Sequence, residues 1–186
     1  MTADHPGTGK ASIIILTYNN IELTRLCLES ILEHTTYPEY EIIVVDNASR
    51  DGTPAYLQGM AEKHSNLQLV LNEENEGFAC GNNQGFAASS GDFIVFLNND
   101  TFVTQGWLTG LVGYLDDPQV GMVGPVTNSS GNETQIPVDY DTLDEMHLFA
   151  RDYTAQHQGQ SFNISMLPFQ CVALRRQVLE QVGPLD

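Results

Sequence analysis

The chain has 186 residues, 41% of them hydrophobic, which fits one domain large enough to bury a core. Its 7 basic and 24 acidic side chains give a formal net charge of −17 at pH 7. Nucleic acids and anionic membranes are bound through clustered Lys and Arg, so this balance argues against both as partners.

The start of the chain and its cysteines limit the cellular context. Residues 1–10 are polar, lack the apolar core of a secretory signal and are expected to form a disordered tail. Cys27, Cys80 and Cys171 have no metal-binding spacing, and Cys27 and Cys171 fit small core residues. No apolar run approaches the length of a membrane span. We therefore expect a cytoplasmic protein without an integral membrane segment, at most peripheral at the inner membrane face in its full-length form.

Strand-like and helix-like segments alternate along most of the chain. Apolar runs predict strands at residues 11–16, 41–45, 67–71, 93–97 and 120–125, with a further strand around Cys171. Helical spacing and helix-ending signals predict helices at residues 21–34, 54–63, 77–90 and 107–115, and a short helix ending at residue 182. This alternation predicts an α/β fold with a parallel sheet and right-handed crossovers.

Three of the predicted strands end in side chains that can ligate a cation or hydrogen-bond a ribose. These side chains are Thr17, Tyr18 and Asn19 after the first strand, Asp46 and Asn47 after the second, and Asn98, Asn99 and Asp100 after the fourth. At any single strand end, a helix cap is the simpler interpretation. Ligands of open α/β sheets bind outside the carboxyl ends of the strands, however. Recurrence at three strands, all without Lys, therefore indicates one shared polar crevice.

Four motifs in series resemble those of family 2 glycosyltransferases of the GT-A fold. They are residues 12–19 (SIIILTYN), 43–53 (IVVDNASRDGT), 75–85 (NEGFACGNNQG) and 97–100 (LNND). The resemblance runs from about residue 11 to the last residue. It implies a Rossmann-like, mostly parallel sheet flanked by helices in three α/β/α layers. The chain departs from the pattern at Asn98, where many relatives carry Asp, and this form is similar to the branch that contains rhamnosyl-like transferases.

The resemblance implies that a nucleotide-diphospho-sugar donor lies across the strand ends. The residues that would line the nucleoside pocket are Thr17, Tyr18, Asn19 and Asp46. The base or phosphates would be reached by Asn75 and Asn82, with space provided by Gly77 and Gly81. The ribose and diphosphate would be contacted by Asn98 and Asn99. An Asp at the end of the second strand can accept a hydrogen bond from a pyrimidine N3–H. The expected donor is therefore a UDP- or dTDP-sugar.

A divalent cation is the expected cofactor. The diphosphate is an anion, the chain is acidic, and Arg50 is the one basic residue near the proposed crevice. A cation is the natural way to neutralise this phosphate charge. Asp100 is the predicted ligand for Mg²⁺ or Mn²⁺.

Residues 126–167 interrupt the alternation and are too long for an ordinary connection. An amphipathic stretch within them predicts an insertion that contains a helix, or alternatively a mobile flap. The resemblance implies that this insertion faces the acceptor, which is expected to be a saccharide or a lipid-linked acceptor. A structural cover over one sheet edge is an equally compatible interpretation.

The reaction implied by the resemblance is an inverting transfer in which a carboxylate deprotonates the acceptor hydroxyl. That base is expected beyond Asp186. Residues 11–186 are therefore expected to be a GT-A domain whose C-terminal part is missing, able to bind a donor and inactive in transfer.

Two other functions are less consistent with the sequence. A nucleotidyltransferase that makes nucleotide sugars needs a Gly-rich, basic loop after the first strand, which residues 17–22 do not offer. A non-catalytic α/β interaction or regulatory module explains a chain without a base, but it does not explain three polar strand ends.

Overall fold

The computed structural model describes residues 9–186. Most of the predicted tail, residues 1–8, lies outside the described residues. Gly9 and Lys10 are both held in place: the Tyr37 hydroxyl donates to the Gly9 carbonyl at 2.7 Å, and the Lys10 ammonium lies 2.5 Å from the Glu41 carboxylate. These two contacts therefore fix the chain directly before the first strand.

Six strands and six helices follow one another through the described residues. The strands are β1 (Ala11–Thr17), β2 (Tyr40–Asp46), β3 (Leu67–Leu71), β4 (Phe93–Asn98), β5 (Met122–Val123) and β6 (Cys171–Arg175). The helices are α1 (Ile21–His34), α2 (Thr53–Lys63), α3 (Gly77–Ala88), α4 (Trp107–Tyr114), α5 (Leu143–Gln156) and α6 (Arg176–Val182). The predicted boundaries agree closely with these, except that only two residues of the predicted strand at 120–125 form β5.

The sheet has the strand order β3-β2-β1-β4-β6-β5. Strands β1 to β4 are parallel, whereas β6 runs antiparallel to β4 and β5 antiparallel to β6. The prediction of a mostly parallel α/β sheet is confirmed, and the wholly parallel form is wrong at this edge. The long connection between β5 and β6 brings the chain back to the carboxyl end of β4, so β6 enters the sheet in the opposite direction.

The register brings the polar strand ends to the same level. Thr17 pairs with Asp46 across β1 and β2, and Leu16 pairs with Asn98 across β1 and β4. Because these strands are neighbours and parallel, their carboxyl ends form one edge of the sheet.

Helices cover both faces of the sheet, which confirms the three-layer α/β/α architecture. On one face α1, α2 and α4 pack against Ile13, Ile15 and Val44, among others. On the other face α3 and α6 pack against Ile14 and Phe96, among others. Successive strand side chains point to opposite faces, so strands covered on both sides are apolar throughout.

Helix α3 lies unusually close to the sheet because of two glycines one turn apart. A Cβ atom on Gly85 would lie 2.4 Å from Ile14 Cγ2, and one on Gly81 would lie 2.4 Å from Leu16 Cδ1. Gly81, which the sequence interpretation assigns to the donor pocket, thus gives space to a strand side chain.

The segment 126–167 packs beside the α1 and α4 layer. Its helix α5 begins with a capping box in which Thr142 and Glu145 satisfy each other's backbone N–H groups, and none of its residues is buried. The His147 ring lies 4.3 Å from the His34 ring of α1, and the Tyr114 hydroxyl at the end of α4 donates to the Gln160 carbonyl at 2.9 Å. The acceptor-facing role of this segment stays a prediction.

The buried cysteines behave as core residues. Burial raises the pKa of the Cys27 thiol to about 12 and that of the Cys171 thiol to about 12, so both are neutral near pH 7. Among residues 9–186, none of the helices combines the length and apolar character needed to cross a bilayer.

Candidate functional site

A crevice of about 290 Å³ opens at the carboxyl ends of β1, β2 and β4. It is lined by Leu16, Thr17, Tyr18, Asn47, Asn75, Gly77, Phe78, Asn98, Asn99 and Asp100. Most of the residues predicted for the donor pocket are therefore brought together, and so is the predicted metal ligand Asp100. The predicted residues outside this lining are Asn19, Asp46, Gly81 and Asn82.

Asn99 holds the end of β4 to the end of β1. Its side-chain Nδ2 donates to Thr17 Oγ1 at 3.2 Å and to Thr24 Oγ1 at 3.0 Å, and the two threonine hydroxyls are 2.8 Å apart. Thr17 and Thr24 are buried, so these bonds are shielded from water. Asn99 lines the crevice mainly as the residue that fixes the turn carrying Asn98 and Asp100.

Asn47 is the centre of a second network and is 2% exposed. Its Nδ2 donates to Asn75 Oδ1 at 2.8 Å and to the Gly77 carbonyl at 3.2 Å. Its Oδ1 accepts from Asn72 Nδ2 and from the Glu76 N–H, both at 3.0 Å. One buried amide thus uses both its donor and its acceptor capacity to hold the loop between β3 and α3 against the end of β2.

Asn19 joins the loops that follow β1 and β2. Its backbone N–H donates to Ser49 Oγ at 2.6 Å, and its side-chain Oδ1 accepts from the Arg50 N–H at 2.8 Å. Asn19, Asn20 and Ala48 all have left-handed backbone conformations, with φ of 59°, 59° and 65°. Asn19 does not line the crevice, but it fixes the two loops, residues 18–20 and 47–52, that form the mouth of the crevice.

Asp46 lies beneath this mouth and is 2% exposed. Its Oδ2 accepts from the Ser49 N–H at 3.1 Å, whereas its Oδ1 has no hydrogen-bond partner among the described residues. Leaving a buried acceptor without a donor costs about 1–3 kcal/mol. An incoming N–H group would remove that cost.

Asn82 does not reach the crevice. It is 3% exposed, and its Nδ2 donates to the Phe78 carbonyl one turn earlier in α3, at 2.9 Å. At this exposure the Asn82 side chain presents almost no surface to a base or phosphate, the contact that the family resemblance implies. The helical spacing of Gly81, Asn82 and Gly85 signals a face turned to the sheet.

Asp100 and Asn98 offer oxygen ligands at the open side of the crevice. Asp100 is exposed and Asn98 is half-buried. Mg²⁺ and similar hard cations use one or two carboxylates and take their other ligands from substrate phosphates and water. Residues 9–186 contain no cluster of three or more His, Cys, Asp or Glu side chains arranged to hold a metal by themselves. The donor set therefore fits a cation shared with a phosphate ligand.

The rim of the crevice is acidic. Glu73, Glu74 and Glu76 are exposed on the loop that Asn47 holds, and the lining contains no Lys or Arg. Arg50, exposed on the loop after β2, has no ion pair within the described part of the chain. A diphosphate would meet net negative charge here unless a cation accompanies it.

Three residues of the lining were not among the predicted site residues: Leu16, Asn47 and Phe78. Leu16 was predicted only as part of the apolar run of the first strand. Asn47 directly follows Asp46 at the strand end, and its role as a hub depends on contacts with a loop some 25 residues later. Phe78 lies within the quoted 75–85 motif, where an apolar residue beside glycines suggests packing; it is instead 51% exposed in the crevice.

The chain is similar in sequence to a glycosyltransferase and to an O-antigen biosynthesis protein. Glycosyltransferase AglE of Haloferax volcanii is 30% identical over 176 residues, which cover 93% of this chain and 55% of AglE. The O-antigen biosynthesis protein RfbC of Myxococcus xanthus is 33% identical over 190 residues, which cover 97% of this chain and 15% of RfbC. The chain thus spans about half the length of AglE and far less of RfbC.

Solved structures share the fold. The mannosyltransferase PcManGT from Pyrobaculum calidifontis, in complex with GDP-Man and Mn²⁺, aligns with a TM-score of 0.75 and 26% identity over 99% of this chain and 49% of its own. S. aureus TarS in complex with UDP-GlcNAc aligns with a TM-score of 0.54 and 26% identity over 61% of this chain and 33% of its own.

The family model described as glycosyl transferase family 2 matches residues 12–183, which include the whole crevice lining and all six strands except Ala11, the first residue of β1. The parallel strand ends, the polar crevice and the sequence relatives agree with this match. The chain therefore belongs to glycosyl transferase family 2.

Proposed function

We propose that this domain binds a UDP- or dTDP-sugar together with Mg²⁺ or Mn²⁺, for inverting transfer to a saccharide or lipid-linked acceptor. The observation that carries the proposal is that two carboxylates in different environments lie at the same edge of the sheet. Asp46 is buried with an unused acceptor, and Asp100 is exposed beside Asn98. The first suits an N–H group of a nucleobase, and the second suits a cation on a diphosphate.

Asp46 is assigned to the nucleobase. Uracil and thymine carry a hydrogen on N3, so they can donate to Asp46 Oδ1, whereas N3 of cytosine only accepts. Guanine also carries a ring N–H, and PcManGT was solved with GDP-Man. GDP is therefore the comparison that tests whether the site is selective for pyrimidines.

The diphosphate is assigned to the edge at Asn98 and Asp100. Asp100 would ligate the cation, with the Asn98 amide oxygen as the neighbouring ligand or ribose partner. Bound there, a divalent cation supplies the positive charge that stabilises the departing diphosphate. Asn99 keeps both residues in place through its bonds to Thr17 and Thr24.

Acceptor activation requires a carboxylate within hydrogen-bond reach of the attacking hydroxyl. Asp100 is the carboxylate in the crevice lining of the described residues, and it is already assigned to the cation. We therefore expect residues 1–186 to bind the donor and to transfer its sugar only slowly. The expected location of the protein is the cytoplasm. A transfer assay of residues 1–186 with a set of UDP- and dTDP-sugars and Mn²⁺ tests the expected slow transfer, and rapid repeated turnover would contradict it.

The donor assignment is tested by calorimetry with UDP, dTDP, CDP and GDP, each with and without Mn²⁺. UDP and dTDP are expected to bind more tightly than CDP, and only in the presence of the cation. The Asp46→Ala variant should lose about 1.5–3 kcal/mol of affinity for UDP, typical of a hydrogen bond to a charged group, and its preference over CDP should shrink. Equal weakening towards all four nucleotides would show that Asp46 is a structural cap, and no binding at all would favour an interaction module.

A further inference from the structure

A row of three phenylalanines leads from the sheet into the crevice. Phe96 of β4 is 1% exposed, and its ring centroid lies 5.2 Å from that of Phe169. The Phe169 centroid lies 5.7 Å from that of Phe78, with the two rings at 79° in an edge-to-face arrangement. The last ring of the row, Phe78, lines the crevice and is 51% exposed.

The Phe78 ring is exposed but not loose. It stands in the first turn of α3, directly after Gly77, whose φ of +81° sets the entry into the helix. Asn47 holds the Gly77 carbonyl, and Phe169 covers part of the ring. Leaving a large apolar ring half in water forgoes much of the free energy of its burial, at about 25 cal/mol per Å². A ring fixed in this way at a ligand crevice is suited to contact the ligand.

The position of Phe78 indicates which part of a donor it contacts. Side chains alternate along strands, so Asn98 shares the α3 face of the sheet with Phe96, whereas Asp46 lies on the opposite face with Val44. The Asn98 N–H donates to the carbonyl of Gln170, the neighbour of Phe169, at 2.9 Å. The phenylalanine row therefore lies at the diphosphate side of the crevice and away from the base assigned to Asp46.

We propose that Phe78 is the surface against which the sugar ring of the donor lies, and that it selects pyranoses with an apolar face; this proposal rests on the proposed function. A pyranose presents C–H groups on one face, and these carry partial positive charge. An aromatic face is negative, so it attracts such hydrogens as well as excluding water from them. Phe78 has no polar atom, so it favours a sugar for its C–H surface, and the hydroxyl groups are left to the surrounding amides.

The test compares each nucleotide diphosphate with its sugar conjugate. Calorimetry in the presence of Mn²⁺ would measure UDP against UDP-GlcNAc and GDP against GDP-mannose, for the wild-type chain and for Phe78→Ala. We expect Phe78→Ala to weaken binding of the sugar conjugate roughly threefold to tenfold, the range of one aromatic contact, and to leave binding of the bare nucleotide unchanged. Phe78→Tyr keeps the aromatic ring and should restore the wild-type difference in affinity between the sugar conjugate and the bare nucleotide.

Phe162→Ala is the matched control, because Phe162 is 56% exposed on the segment before β6 and does not line the crevice. Phe162→Ala should change neither the affinity for the bare nucleotide nor that for its sugar conjugate. Equal losses for nucleotide and conjugate in Phe78→Ala would place the ring against the base or diphosphate and overturn the assignment. Unchanged affinities with a lowered melting temperature would make Phe78 a packing residue and overturn it as well. If the wild-type chain binds no nucleotide, the proposed function itself fails, whereas selective failure of the Phe78 result leaves that function standing.

Discussion

The strongest prediction for stability concerns the buried carboxylate of Glu41, at the amino end of β2. Glu41 is 2% exposed and accepts hydrogen bonds from Ser12 Oγ at 2.7 Å, the Ser90 N–H at 2.6 Å and Lys10 Nζ at 2.5 Å. Burial by itself raises the pKa of this carboxyl, but the hydrogen bonds from Lys10, Ser12 and Ser90 outweigh it and lower the pKa from 4.5 to about 2. The ionised carboxylate thus ties the start of β1 to the turn before β4.

Glu41→Gln removes the charge while keeping the shape. At 1.36 kcal/mol for each pKa unit, a lowering from 4.5 to about 2 corresponds to roughly 3 kcal/mol of folding free energy near pH 7. For a chain of this size we expect the melting temperature to fall by about 6–12 °C. Glu39→Gln makes the same charge change on an exposed neighbour and should change stability by less than about 0.5 kcal/mol.

The pH dependence separates this electrostatic effect from a simple packing defect. A carboxyl whose pKa is lower in the folded state stabilises fully above its unfolded pKa and loses that effect as the pH falls through its folded pKa. The difference between wild type and Glu41→Gln in urea unfolding should therefore shrink from roughly 3 kcal/mol at pH 7 to about 1.4 kcal/mol at pH 3. A loss below about 1 kcal/mol at pH 7, or one that stays constant down to pH 3, would refute the reasoning.

Two further predictions concern the crevice and the packing of α3. Asp100→Ala should abolish Mn²⁺-dependent nucleotide affinity in calorimetry and leave the melting temperature within about 2 °C, because Asp100 is exposed; retained Mn²⁺ dependence would remove it from the cation site. Gly85→Ala should destabilise the fold by about 1–3 kcal/mol in urea unfolding, because its Cβ would meet the stiff, fully buried Ile14. Gly59→Ala in α2 has no atom within 4 Å of the added Cβ and should stabilise by about 0.5–1 kcal/mol, so equal effects at the two glycines would contradict the packing argument.

The parts of the fold that sequence could predict are those governed by local pattern. The apolar runs of β1, β2 and β4 each stop at a polar residue, so both the strands and the level of their ends were predictable. Helix α1 was predictable from helical spacing that included Leu23, Leu26, Cys27, Ser30 and Ile31. The buried face differs in part: it consists of Thr24, Cys27, Leu28 and Ile31, and Leu23 is exposed. The direction of β6 was not predictable, because it depends on the path of a connection of more than 40 residues and not on the residues of the strand.

The residues of the candidate site were likewise predictable only where a local sequence pattern determines their position. Asp100 and Asn98 were predictable because they directly follow an apolar strand. Asn82 was assigned to the donor through the family resemblance of its motif, but only the rotation of the helix decides which of the amides in that motif faces the sheet. Asn47 was underestimated, since its partners lie on a loop whose path no local pattern specifies. Contacts between segments distant in sequence account for these differences.

The cross-linked loops at the mouth of the crevice have a consequence for how tightly a ligand can bind. Holding a residue such as Ala48 at a positive φ costs on the order of 1 kcal/mol or more, and this cost is part of the free energy of folding, not of binding. The bonds from Asn19 to Ser49 and Arg50 then keep both loops in one arrangement. A ligand entering the crevice does not have to order these loops, so little conformational entropy is lost on association. The strain at Ala48 is, in this sense, preorganisation for binding.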